Sequence, residues 1–85
     1  MVTILIIEDD DTIAFGIKSF LLKNNYRVIH GKNLELGKEL LKIDIDLILL
    51  DLNLPDGSGF DFCKYVKKLK IYLLFFLLSE MKKVQ

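Results

Sequence analysis

Apolar residues gather in short, dense runs, most clearly Val2 to Ile7, Ile45 to Leu50 and Ile71 to Leu78, with a weaker one at Tyr26-Arg27-Val28-Ile29-His30. Each run has the length of a strand and is rich in branched or aromatic residues. Between them the apolar positions recur at helical spacing. Ile13, Phe15, Ile17, Phe20 and Leu21 predict a helix over 12–24, with Asp11 as its N-cap and Asn24-Asn25 as its stop. Leu36, Leu40 and Leu41 share one face of a helix from about Leu34 to Lys42, capped by Asn33. Phe60, Cys63, Val66 and Leu69 make a stripe from about Gly59 to Lys70, after a loop over 53–59.

The order strand, helix, strand, helix, strand, helix, strand is that of βαβ units, whose crossovers are right-handed in nearly all cases. It predicts a doubly wound α/β fold with a parallel sheet. Two of the buried runs end in acid. The first leads into Glu8-Asp9-Asp10-Asp11, and the third, Asp46 to Asp51, ends on Asp51. Ligands of open α/β sheets collect outside the carboxyl ends of the strands, where both acidic ends are expected to meet.

Composition narrows the partners. The 85 residues allow one domain, and 52% hydrophobic content argues for a packed core rather than disorder. Twelve basic and twelve acidic residues cancel, so no global positive field recommends nucleic acid or an anionic membrane. The single cysteine, Cys63, cannot form an intramolecular disulfide, and no basic region precedes the first apolar run as in a signal peptide. A reducing cytoplasmic setting is expected. Ile71 to Leu78 is far shorter than the roughly 20 residues of a spanning helix and reads as a buried strand.

Carboxylates crowded on adjacent strand ends repel one another, and a divalent cation relieves that repulsion. Carboxylates with a backbone carbonyl suit a hard, oxygen-seeking ion such as Mg²⁺. An Asp beside that metal can act as a nucleophile toward phosphorus. The residues thus point to a metal-assisted phosphoryl acceptor or phosphate-handling site. Blander readings cover the rest. Asp56-Gly57-Ser58-Gly59 lacks the spacing of a phosphate-binding loop and reads as a turn feeding a helix. His30 stands alone at a strand end, which favours a surface or packing role. Cys63 reads as a core residue, and Lys64, Lys67, Lys68 and Lys70 as a solvated helix face.

Ile4-Leu5-Ile6-Ile7-Glu8-Asp9-Asp10, Asp46-Leu47-Ile48-Leu49-Leu50-Asp51 and Leu54-Pro55-Asp56-Gly57-Ser58-Gly59, at their spacing, resemble the receiver domain of two-component response regulators. The resemblance runs from about Val2 to Lys70. It implies a flavodoxin-like doubly wound sheet, here incomplete, with four strands in the order 2-1-3-4 and three helices. It makes Asp51 the phosphoacceptor, served by a sensor histidine kinase or a phosphotransfer protein. It assigns Mg²⁺ to Asp9, to Glu8 through water, to Asp51, and to the backbone carbonyl of Asn53. Asp10 and Asp11 become loop and cap residues.

The family pattern then breaks. Receivers have five strands and five helices in about 110 to 130 residues, within the ordinary size of a domain. They use a Ser or Thr after the fourth strand and a Lys after the fifth. Direct alignment places Leu78 at the hydroxyl position, and Ser79 fits only with a one-residue slip. Lys82 and Lys83 follow the fourth strand too soon to match the lysine. Residues 1–70 are therefore read as the N-terminal part of a receiver, and 71–85 as an atypical apolar strand and tail. A neighbouring reading frame there can encode a peptide resembling an ordinary fourth strand, so a frameshift near Lys70 is the expectation.

The leading reading is a non-enzymatic phosphoacceptor module, with no DNA-binding or membrane role expected of this chain. One alternative is an inactive fragment acting at most as an interaction module. Another is an Asp-nucleophile phosphatase, disfavoured because Asn53 stands where such enzymes place a second Asp. An apolar edge at 71–78 would also favour self-association.

Overall fold

The computed structural model describes residues 1–51, 53–68 and 74–77. In chain order the elements are β1 (Thr3–Ile7), α1 (Asp11–Lys23), β2 (Arg27–Gly31), α2 (Leu34–Leu40), β3 (Leu47–Leu50), β4 (Asn53–Leu54), β5 (Gly57–Ser58), α3 (Gly59–Lys68) and β6 (Leu74–Leu77). Four strands form one parallel sheet in the order β2-β1-β3-β6. This is the expected 2-1-3-4 order, with β6 as the expected fourth strand. The loop expected over 53–59 contains a tight antiparallel hairpin, β4 with β5, pairing Asn53 with Ser58. Expectations for Leu69, Lys70, Leu78, Ser79, Lys82 and Lys83 lie outside the described residues.

Side chains alternate across a strand, and the two layers follow from that. Leu5 and Ile7 of β1 and Ile48 and Leu50 of β3 join Leu34, Phe62 and Val66 on the α2 and α3 side. Ile4, Ile6 and Leu49 face the other way, where Ile17 and Leu21 of α1 and Val28 of β2 pack on them. All five residues of β1 are buried, as a central parallel strand covered on both faces requires. Cys63 packs at the margin of the first cluster, as expected of a core cysteine, and burial pushes its thiol pKa up.

The helices match their expected spans more closely than their expected faces. Helix α1 is capped by Asp10, not Asp11: the Asp10 carboxylate accepts from the backbone N–H groups of Thr12 and Ile13, and Asp11 is the first helical residue. Asn24-Asn25 ends the helix as expected, with Asn25 at φ 66°, a left-handed geometry that Asn tolerates. Phe15 and Phe20 are 72% and 66% exposed, and the buried stripe is Ala14 with Ile13, Ile17 and Leu21 partly covered. Asn33 caps α2 as expected, through Leu36 N–H at 2.9 Å, but Leu36 itself is exposed and Leu34 and Gly37 face the core. In α3 the inward aromatic residue is Phe62, while Phe60 is exposed. The expected faces hold in part: Ile17 and Leu21 of α1, Leu40 and Leu41 at the end of α2, and Cys63 and Val66 of α3 pack inward as expected, whereas Phe15, Phe20, Leu36 and Phe60 are exposed.

Candidate functional site

The parallel register builds the site. Ile7 of β1 lies opposite Leu50 of β3, and the Asp51 N–H donates to the Ile7 carbonyl at 3.1 Å, so the next step brings Glu8 beside Asp51. By alternation both acids continue the row of Ile6 and Leu49 on the α1 side of the sheet. Glu8 is fully buried and Asp51 is 3% exposed, whereas Asp9, at the mouth, is exposed. One carboxylate oxygen from each of Glu8, Asp9 and Asp51 lies within 4.8 Å of the others. The Asp10 N–H reaches toward Glu8 Oε2 at 3.4 Å.

The backbone of Asn53 lies in β4, two residues beyond Asp51 and held by β5. Asp10 and Asp11 take the loop and helix-start positions: Asp10 caps α1, and Asp11 meets Lys32 in an exposed ion pair at 3.4 Å. Lys64, Lys67 and Lys68 are exposed along α3, as a solvated face requires.

Two further residues bear on the site and were not singled out for it from the sequence. His30, expected to have a surface or packing role, brings Nε2 to 2.7 Å from the backbone carbonyl of Glu8. A carbonyl only accepts, so Nε2 carries the proton and donates. Asp56 accepts from the backbone N–H of Leu34 at 2.9 Å and of Glu35 at 3.0 Å, which ties the segment after Asp51 to the start of α2. The Leu34 N–H bond is the main reason its carboxyl pKa is lowered, with the Glu35 N–H adding to it against a burial effect in the other direction. The available signal for His30 was its place at the end of a strand paired with β1. For Asp56 it was the loop beyond Asp51 facing an α2 start whose first N–H groups need acceptors.

Three anionic oxygens so close repel strongly unless a cation or protons intervene. Hard oxygen donors at the mouth of a sheet match a divalent oxygen-seeking ion, and this donor set fits such an ion. An open cleft of about 620 Å³ between α2, the β4–β5 hairpin and α3 does not include these carboxylates. Its Lys38 lies 4.6 Å from the centre of the Tyr65 ring, and its Lys42 meets Glu39 at 3.1 Å. Among the described residues no helix is long and apolar enough to cross a membrane.

Comparison with known proteins agrees with this geometry. The chain is 37% identical over 83 residues to the cell cycle response regulator CtrA of Brucella ovis, an alignment covering 96% of this chain and 36% of that protein. It thus spans about a third of the length of the curated relatives it matches. The non-phosphorylated HemR receiver domain of Leptospira biflexa superposes with a TM-score of 0.79 at 38% identity, covering 91% of this chain and 64% of that one. The response regulator TrrA of Thermotoga maritima, in complex with Mg²⁺-BeF, gives a TM-score of 0.76 at 29% identity, covering 88% and 70%. Residues 4–84 match the response regulator receiver domain as a family. With sheet order, acidic strand ends and whole-chain similarity in agreement, the chain belongs to the response regulator receiver domain family.

Proposed function

We propose that Asp51 accepts a phosphoryl group beside a Mg²⁺ ion held by Glu8, Asp9, Asp51 and the backbone carbonyl of Asn53. The observation that carries this reading is the convergence of three carboxylates within 4.8 Å at the ends of β1 and β3. The donor would be a phosphohistidine on a sensor kinase or phosphotransfer protein. An Asp51 carboxylate oxygen attacks phosphorus, the P–O bond forms as the P–N bond breaks, and the departing imidazole leaves neutral after taking up a proton. Bound Mg²⁺ supplies charge neutralisation and alignment for that transfer. Burial of Glu8 and Asp51 limits water around the acceptor, and the exposed Asp9 leaves the mouth open to a donor. The Mg²⁺-BeF complex of TrrA, a relative in fold and sequence, supports the choice of ion.

Incubation with Mg²⁺ and acetyl phosphate, followed by intact mass measurement, tests the assignment. One phosphoryl adduct is expected, absent in Asp51→Asn and absent in chelator. Folded protein that never gains the adduct would count against it and favour an inactive fragment. Turnover of a phosphomonoester would favour the phosphatase alternative. Among the described strands β6 is the outer neighbour of β3, which supports self-association along that edge as a second partner reading. Concentration-dependent light scattering measures it.

A further inference from the structure

Glu8 and Asp9 are consecutive, so a single peptide unit joins two of the three carboxylate-bearing residues. Its orientation sets where both side chains start. The carbonyl of that unit is the group His30 grips, at 2.7 Å, toward the short end of N–H···O distances. The preceding unit is fixed as well, because the Glu8 N–H donates to the Gly31 carbonyl at 3.1 Å. Both contacts come from the end of β2, the outer strand on that side of the sheet. In register His30 lies opposite Ile6 and Gly31 opposite Ile7, so Glu8 falls just past the last paired residue of β1. Beyond that point the ladder no longer holds the chain.

We propose that His30 is a positioning residue for the acidic cluster: its Nε2–H bond to the Glu8 carbonyl fixes the Glu8–Asp9 peptide and so the geometry with which those carboxylates meet a divalent ion. This rests on the metal reading given above. A ring present only to fill space has no reason to aim its donor at a backbone acceptor at that distance. Mg²⁺ demands near-ideal octahedral geometry, so a rotated peptide that swings Asp9 away from Asp51 costs affinity. Groups that orient metal ligands typically cost 10- to 100-fold in affinity when removed. A backbone anchor on a partly exposed loop belongs at the lower end of that range.

The test is a Mg²⁺ titration by calorimetry on the full 85-residue chain and three variants, with unfolding of each in chelator recorded alongside. His30→Ala removes the donor, His30→Leu removes it while keeping bulk if the alanine variant does not fold, and His30→Gln restores an amide donor at similar reach. The dissociation constant is expected to rise roughly 10-fold in the Ala and Leu variants and to return to within about 3-fold of the parent in the Gln variant. Parent-like affinity in the Ala or Leu variant would overturn the proposal. So would equal losses in all three that follow their metal-free unfolding midpoints, since those would mark a purely structural residue. Failure of the parent chain to bind Mg²⁺ would instead overturn the metal reading itself, and this one with it.

Discussion

At the scale of single residues, Asp56 shows how one carboxylate links the segment after Asp51 to the rest of the fold. Helix starts leave N–H groups without intrahelical partners, and an anion there is favoured by both hydrogen bonding and the helix dipole. Asn33 satisfies Leu36 from within the local chain, and Asp56 satisfies Leu34 and Glu35 from about twenty residues away. Those bonds favour the ionised form, so the folded pKa lies below the ordinary value of 3.8. A lowered folded pKa gives a stabilisation that is complete above the unfolded value and lost as pH falls through the folded one. Asp56→Asn should therefore unfold at lower urea than the parent near neutral pH, and the gap should close as pH drops below about 4. Parallel curves throughout would show that the carboxylate contributes nothing specific. Neither Asp56 nor His30 was legible as a site residue in the sequence, because each acts through backbone groups of a distant segment.

At the scale of elements, two glycines in helices have opposite surroundings. A Cβ built on Gly16 of α1 meets nothing within 4 Å, whereas one on Gly37 of α2 would lie 2.6 Å from Ile7 Cδ1 and 3.3 Å from Phe62 Cε1. Ile7 and Phe62 are in the buried core, so neither can yield freely. Gly16→Ala should raise stability by about 0.5–1 kcal/mol, the ordinary helix gain. Gly37→Ala earns the same gain but overpacks the contact of α2 on β1, at a cost of about 1–3 kcal/mol, so a net loss is expected. Urea denaturation of the two variants measures both, and a Gly37→Ala variant as stable as Gly16→Ala would mean that α2 can move off the sheet. The close approach of α2 could not be read from the chain, since it depends on which face turns inward. Strand identity was legible because buried parallel strands are apolar runs of strand length, and the strand order followed from the resemblance to receiver domains. Helix phase was legible in part: Ile17, Leu21, Leu40, Leu41, Cys63 and Val66 pack inward as their spacing predicts. Phe15, Phe20, Leu36 and Phe60 share the apolar pattern and yet are exposed, the inward positions going to residues such as Ala14, Leu34, Gly37 and Phe62.

At the scale of the whole molecule, a chain with no net formal charge gathers acid at one end of its sheet. A parallel sheet makes this possible, because the C-terminal ends of β1 and β3 point the same way and deliver Glu8, Asp9 and Asp51 to one place. In the unfolded chain Asp51 is separated from the other two by more than forty residues. Folding therefore creates the repulsion, on the order of 3 kcal/mol for a fully ionised pair at about 5 Å and an effective dielectric of about 20. A bound cation should offset that repulsion. Asp51→Asn removes one charge from two of the three pairs and is expected to raise stability in chelator by about 1–2 kcal/mol, less than the full Coulomb figure because neighbouring groups adjust. Mg²⁺ should stabilise the parent by about 2.7 kcal/mol at a hundredfold excess over its dissociation constant. The same Mg²⁺ should stabilise Asp51→Asn less, since the variant has both a smaller repulsion to relieve and a weaker ligand. Urea unfolding with and without Mg²⁺ measures all four states. If Asp51→Asn were less stable than the parent in chelator and gained as much from Mg²⁺, Asp51 would be a structural acid, and the convergence of charge at the end of the sheet would need a different explanation.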